Sequence, residues 1–367
     1  MHTKDDTRVL MIFSQPWHIG GAESHLLALV QEFRTLGIHT AIVGLDDTIK
    51  DVFQGVPVTV LPLRTHSLSP FIDNIKKLNG IIDGEKINIL HCHQRTAAVY
   101  GRILQFRSSI PYTLTLHDRW RPLHNLYRPF IPKPCIAISE GIKAHAVQKL
   151  GLQGEGVHVI PNGVSFDCPG GMIQPSEHSI IYVSRLNRLK AEVALLLCEA
   201  AALLRQTIPS VTLTIVGDGP YLAHVSKQAE AVNRSCQQPI ITVLGARNDI
   251  PELLAGHSVA VGVGRVALEA MAAQRPVVAI ADLENFPGLI TAENWQSASR
   301  TSWTRGEKEV TVANIAKELE LVLVNPALAK EVGLFGQELV RTECSARAMA
   351  LKTISHYQEV LALRQKK

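Results

Sequence analysis

Short apolar runs alternate along this chain with longer stretches whose apolar positions recur every three or four residues. Val9-Leu-Met-Ile-Phe13 predicts a buried strand, and 23–36 has helical periodicity that Gly37 stops. Further strands are predicted at 40–44, 56–61, 87–91, 112–116 and 135–138, with helices near 69–83, 96–106 and 139–150. Apolar strand runs separated by helices are the pattern of a parallel sheet covered on both faces. A doubly wound α/β domain is therefore expected over residues 1–165. The stretch 165–178, with Pro169-Gly-Gly171 and Pro175, has linker composition. The alternation then restarts, with strands at 180–183, 211–216, 240–244, 259–263 and 276–280 and helices at 191–206, 220–232 and 265–273. This predicts a second domain of the same kind over 178–345, the two facing each other across a cleft. The tail is helical at 312–324, 328–341 and 346–363, and the last helix, within 346–367, is expected to return to the first domain.

Composition narrows the class. The 367 residues suit two domains of about 150 each, and a chain 46% hydrophobic and 19% charged can bury ample core. Disorder, a collagen-like chain and a disulfide scaffold are excluded. A formal charge of +4 is too small to argue for a nucleic-acid partner. The cysteines Cys92, Cys135, Cys168, Cys198, Cys236 and Cys344 form no CxxC pair and read as small buried hydrophobes of a reducing compartment. No signal peptide is read in the first residues, and the apolar stretch 193–204 is interrupted by Glu199 and too short to span a bilayer. A cytoplasmic location is expected.

Chemistry-bearing residues fall where strands end. Gly20-Gly21-Ala22-Glu23 joins the first strand to the first helix, where a bare backbone and free helix N–H groups suit an anion; an ordinary strand-to-helix turn is the other reading. Arg185 and Lys190, with Arg188 between them, follow the first strand of the second domain and can neutralise a diphosphate. Gly217-Asp-Gly-Pro220 is turn chemistry, and no partner acid gives Asp218 a metal role. Gly262-Val-Gly264 precedes a helix carrying Glu269, a carboxylate able to accept two ribose hydroxyls. His117 ends a buried strand, where it can donate to a reacting sugar or serve as a satisfied structural histidine. His91 and His93 end the preceding strand. No cysteine or carboxylate pattern completes a metal site around these three, and no metal is expected.

The ordered set resembles the retaining glycosyltransferases of family 4, which have the GT-B architecture of two Rossmann-like domains. The residues that carry the resemblance are GGAE, His91-Cys-His93, Leu116-His-Asp118 and Ile160-Pro-Asn-Gly-Val164, then Ser184-Arg-Leu with Lys190, Gly217-Asp-Gly-Pro220, Leu268-Glu-Ala-Met-Ala272 and Pro276-Val-Val. The resemblance implies a metal-independent enzyme with no cofactor. Its donor would be a nucleotide-diphosphate sugar, a UDP-sugar favoured over a GDP-sugar, held mainly by the second domain. Its acceptor would be a hydroxyl of a sugar, a lipid-linked molecule or a small molecule, held by the first. Arg185 and Lys190 would bind the diphosphate, Glu269 the ribose, Gly262 and Gly264 the donor's phosphate side, Gly20 and Gly21 the phosphate and acceptor side, and His117 would sit beside the transferred sugar. One departure concerns the chemistry. The family's first glutamate, eight residues before Glu269, is Val261 here. Ala191 also replaces a glycine, and the donor-side loop carries Asn285-Phe-Pro-Gly-Leu289.

The leading expectation is sugar transfer in glycan, polysaccharide or glycoconjugate biosynthesis. A nucleotide-sugar 2-epimerase, or a catalytically silent sugar-nucleotide-binding subunit, are the alternatives, the latter motivated by Val261. Residues 101–150 hold eight Lys/Arg (Arg102, Arg107, Arg119, Arg121, Arg128, Lys133, Lys143, Lys149) against Asp118 and Glu140. That excess suits either a solvated face or peripheral contact with the anionic inner face of a membrane. Trp120 and Tyr127 lie nearby as candidate sugar-stacking rings.

Overall fold

The computed structural model describes residues 7–17, 21–63, 68–120, 122–164 and 173–365. Gly20, Arg121, Cys168 and most of the expected linker, 165–172, lie outside the described residues. The chain forms two compact units, 1–163 with 346–367, and 164–345.

In the first unit β1 (Arg8–Phe13), β2 (His39–Gly44), β3 (Val58–Val60), β4 (Ile89–His93), β5 (Tyr112–Leu116), β6 (Cys135–Ala137) and β7 (Val157–Val159) alternate with α1 (Gly21–Thr35), α2 (Thr48–Val52), α3 (Leu68–Gly84), α4 (Arg95–Ser108) and α5 (Glu140–Leu150). A 3₁₀ turn covers Pro122–Phe130. The strands pair in the order β3-β2-β1-β4-β5-β6-β7, all parallel. Strand order reverses between β1 and β4, and the carboxyl ends of strands at such a switch point are where open α/β sheets bind ligands. β7 lies in a stretch for which the sequence predicts no element. Its three residues gain edge pairing from β6, a contact that no local pattern announces.

In the second unit β8 (Ser176–Val183), β9 (Thr212–Val216), β10 (Ile241–Gly245), β11 (His257–Val261), β12 (Val277–Ala279) and β13 (Gly288–Leu289) alternate with α6 (Arg188–Leu204), α7 (Leu222–Cys236), α8 (Ile250–Ala255), α9 (Arg265–Ala272), α10 (Trp295–Arg300), α11 (Val312–Leu323) and α12 (Pro326–Leu339). The order is β10-β9-β8-β11-β12-β13, parallel except for the β12–β13 pair, with its switch point between β8 and β11. α13 (Ala346–Gln365) belongs to the first unit, where Met349, Ala350, Ile354, Tyr357, Val360 and Leu361 share a core with Leu26, Leu29 and Phe33 of α1.

One departure from the predicted elements shapes the site. The strand expected at 87–91 runs Ile89–His93, because His91 and His93 are strand residues with no exposure at all. With Thr113 and Thr115 of β5, their register partners, they make a buried polar stripe across two central strands. Buried polar groups are retained when paired, and α13 does the pairing. Tyr357 Oη lies 2.6 Å from His91 Nδ1, and His356 Nε2 lies 2.7 Å from Thr113 Oγ1. Among the described residues, no helix is long and apolar enough to cross a membrane. Cys92, Cys135, Cys198 and Cys344 are buried free thiols.

Candidate functional site

The switch point of the second unit gathers cations and glycines. Arg185 is exposed on the loop between β8 and α6. The Gly217-Asp-Gly-Pro220 turn lies directly beneath that loop: Leu186 N–H donates to Asp218 O at 2.8 Å and Tyr221 N–H to Leu186 O at 3.2 Å. Gly217 (φ +147°) and Gly219 (φ +152°) are required there. A Cβ on Gly217 would lie 1.8 Å from Ser184 O, and one on Gly219 2.5 Å from Leu186 O. The turn's glycines thus set the height of the Arg185 loop. Asn187 caps α6 by accepting from Lys190 N–H at 3.1 Å, which fixes Lys190 in the helix's first turn. Its ammonium donates to Ala281 O at 2.5 Å. Burial pulls the Lys190 amine below the ordinary lysine range, and the nearby Asp282 carboxylate opposes the shift.

Gly262 follows β11 and caps the strand end closely, since a Cβ there would press on Val266 at 2.8 Å. Gly264 (φ +58°) opens α9. Glu269 lies one turn inside α9 with its side chain 13% exposed, already accepting from Arg265 Nε at 2.6 Å. A ribose would therefore share or displace the Arg265 guanidinium. Val261 is wholly buried, in one core with Tyr182, Val278 and Ile315.

Sequence reading missed Asp282 and Arg305. Arg305 bridges Asp282 and Glu284, each at 2.9 Å, and Lys308 pairs with buried Glu318 at 2.7 Å. Glu318 also accepts from Leu289 N–H at 2.8 Å. These long-range pairs hold the 282–308 loop beside Lys190, and only the fold brings their members together.

In the first unit, His93 at the end of β4 and His117 just after β5 meet His25 of α1. His93 Nδ1 and His117 Nε2 lie 3.1 Å apart, and His25 Nδ1 donates to Asn162 Oδ1 at 2.9 Å. The remaining nitrogens, His25 Nε2, His93 Nε2 and His117 Nδ1, are buried and have no hydrogen-bond partner among the described residues. Burial lowers the pKa of His25 to about 4 and holds His93 and His117 well below the ordinary histidine range, with neighbouring imidazoles adding to the latter two shifts. All three are neutral imidazoles at pH 7.

His117 Nε2 faces His93 and its Nδ1 is buried without a partner, so donation to a sugar requires rotation of the ring. His91 is not part of this cluster, because Tyr357 and Thr115 take both its nitrogens. His25 lies on the helix that follows the glycine pair, and nothing in its local sequence marks it as a neighbour of His93 and His117. Gly21 begins α1, and a Cβ there would meet nothing within 4 Å. Trp120 is 4% exposed beneath Arg95, whose guanidinium sits 5.9 Å from the ring centre, so the expected stacking platform is closed.

The model for Glycosyltransferase Family 4 matches residues 19–167, and that for Glycosyl transferases group 1 matches 177–299. EpsD of Bacillus subtilis (strain 168) is 25% identical over 258 residues, 61% of this chain and 65% of that protein. Alpha-maltose-1-phosphate synthase of Mycolicibacterium smegmatis is 22% identical over 326 residues, 78% of this chain and 82% of the synthase. Among solved structures, Anabaena HepE in complex with UDP superposes with a TM-score of 0.74 at 19% identity, covering 96% of this chain and 100% of HepE.

Proposed function

Because the chain is a glycosyltransferase of the family-4 type, we propose that it moves a sugar from a nucleotide-diphosphate sugar to a hydroxyl acceptor with retention of anomeric configuration. The observation that carries this reading is the second unit's switch point, where Arg185 and Lys190 follow β8 and Gly262, Gly264 and Glu269 follow its neighbour β11. Arg185 and Lys190 bind the diphosphate and stabilise the charge that grows on it as the glycosidic bond to the donor breaks. Such electrostatic stabilisation supplies most of the catalysis, with alignment of the acceptor hydroxyl supplying the rest. Glu269 receives the ribose hydroxyls in place of Arg265. On the first unit, Gly21 serves the acceptor side, and His117 shapes the edge against the transferred sugar. A uridine nucleotide is favoured, in keeping with the UDP in the HepE structure. The reaction uses no metal or cofactor in this reading, and the enzyme works in the cytoplasm, its basic 101–150 segment resting on anionic lipid.

A second reading has one observation in its favour. Val261 puts a buried methyl-bearing side chain where the family has an acid, which suits a subunit that binds the nucleotide sugar without turning it over.

A donor panel read by nucleotide release separates the two. Release of UDP that rises with an added acceptor is the expected result. Nucleotide binding with neither transfer nor donor hydrolysis would favour the silent subunit. Conversion of the donor to its 2-epimer without release would establish the epimerase.

A further inference from the structure

We propose that His25, His93 and His117 form a binding site for one first-row divalent cation, with Zn²⁺ the best match. One ring nitrogen from each histidine lies within 4.8 Å of those of the other two. The ring centres are 4.9 Å (His25–His117), 5.4 Å (His93–His117) and 5.7 Å (His25–His93) apart. Three imidazoles on one tetrahedral zinc, bonded at about 2.0–2.1 Å, place their ring centres roughly 5.2 Å apart. The three ring-centre distances lie within about half an ångström of that value, and the ligand nitrogens must draw together toward about 3.3 Å to share one ion.

Proton counting is compatible with three ligands. His25 keeps its proton on Nδ1 for Asn162 and presents a lone pair at Nε2. Between His93 Nδ1 and His117 Nε2, 3.1 Å apart, one proton bridges two nitrogens. A cation replaces that proton once a single tautomer shift moves it to the far nitrogen of the same ring, so three neutral imidazoles can bind without losing a proton to solvent. Two imidazole nitrogens on one tetrahedral zinc stand about 3.3 Å apart, close to the spacing already present.

The surroundings have the features of a metal site. Asn162 fixes the tautomer of His25, as outer partners of ligating histidines do. His91 stacks on His93 with centres 4.3 Å apart and is itself held by Tyr357 and Thr115, which fixes the His93 ring. His25 Nε2 is buried without a partner, and coordination would supply one. An all-imidazole donor set with no carboxylate suits zinc, copper or nickel and disfavours Mg²⁺ or Ca²⁺. A fourth position is left for water.

The site shares His117 with the sugar edge proposed above, and the test reads metal binding, so its failure is distinguishable from failure of the transfer reading. The full chain, without a polyhistidine tag, is dialysed against EDTA and titrated with Co²⁺ and then Zn²⁺. One Co²⁺ per chain is expected, with visible d–d bands that stoichiometric Zn²⁺ abolishes. Affinity should fall at least tenfold in His25→Ala, while His356→Gln, from the other buried histidine pair, should bind like the parent. X-ray absorption of the Zn²⁺-loaded parent chain should find three imidazoles at about 2.0–2.1 Å, whatever the folding of the variants. Sub-stoichiometric binding, a folded His25→Ala chain that binds as the parent does, or a zinc shell without imidazoles would overturn the proposal.

Discussion

The two switch points share a topology and differ in chemistry. At the second unit's, Arg185 is exposed and Lys190 half-buried, so both can stay charged and meet an anion. At the first unit's, three histidines at the equivalent height of the sheet are held neutral by burial. What separates them is solvent. A cation keeps its charge where water or a counter-charge pays for it, and an imidazole in the interior gives its proton up. The same strand-end geometry thus offers an electrostatic clamp on one unit and lone pairs on the other.

The sharpest break of that comparison lies in the glycines. Gly217→Ala pushes a methyl into Ser184 O from a backbone angle that L residues rarely adopt, so it should cost on the order of 3 kcal/mol. Calorimetry should place the corresponding Tm drop near 10 °C. Gly21→Ala, facing open space at the start of a helix, should change stability by less than about 0.5 kcal/mol. Equal effects would mean that the Gly217-Asp-Gly-Pro220 turn does not support the Arg185 loop.

Next in size is the charge itself. Arg185→Ala or Lys190→Ala should lower kcat by roughly 10²-fold, about 2.7 kcal/mol of transition-state stabilisation, with the melting temperature little changed. Unaltered turnover in both variants would remove the diphosphate clamp.

The smallest effect tests the neutral interior. The pKa of His356 is lowered to about 3, first by burial and then by the neighbouring His158. His356 sits between Thr113 Oγ1 at 2.7 Å and His158 Nδ1 at 2.9 Å. Glu359 faces the far nitrogen of His158 at 3.6 Å, and His91 lies in the same polar stripe. Below pH 6.5 the unfolded chain takes up a proton here that the folded chain refuses. Stability is therefore full above about pH 6.5 and falls toward pH 3, by up to about 1.4 kcal/mol per pH unit for this group. Urea midpoints from pH 7 to 5 should fall less steeply in His356→Gln; an identical slope would contradict a neutral buried His356.

Much of this was readable in the chain. Val9–Phe13, 112–116 and the helix after Gly21 announce themselves because continuous apolar runs and helical periodicity are local consequences of burial on two faces or one. The basic strand end at Arg185 and the Gly264–Glu269 helix start were also visible, since a glycine or a cation carries its chemistry in its own name. The predicted end of β4 falls two residues short because His93 looks like a solvent residue. The burial of His91 is supported from 266 residues away, by Tyr357.

The sequence by itself determined two α/β units, their parallel sheets and the strand ends at which ligands could be met. Periodicity and glycine placement act within a few residues, and these features need nothing more. Only the tertiary structure decided which polar residues are partners. It set His91 against Thr115, brought His25 to His93 and His117, closed Trp120 beneath Arg95, engaged Glu269 with Arg265, and set Arg305 on Asp282. Pairing and desolvation depend on distances across the fold, and residue types do not encode those distances one at a time.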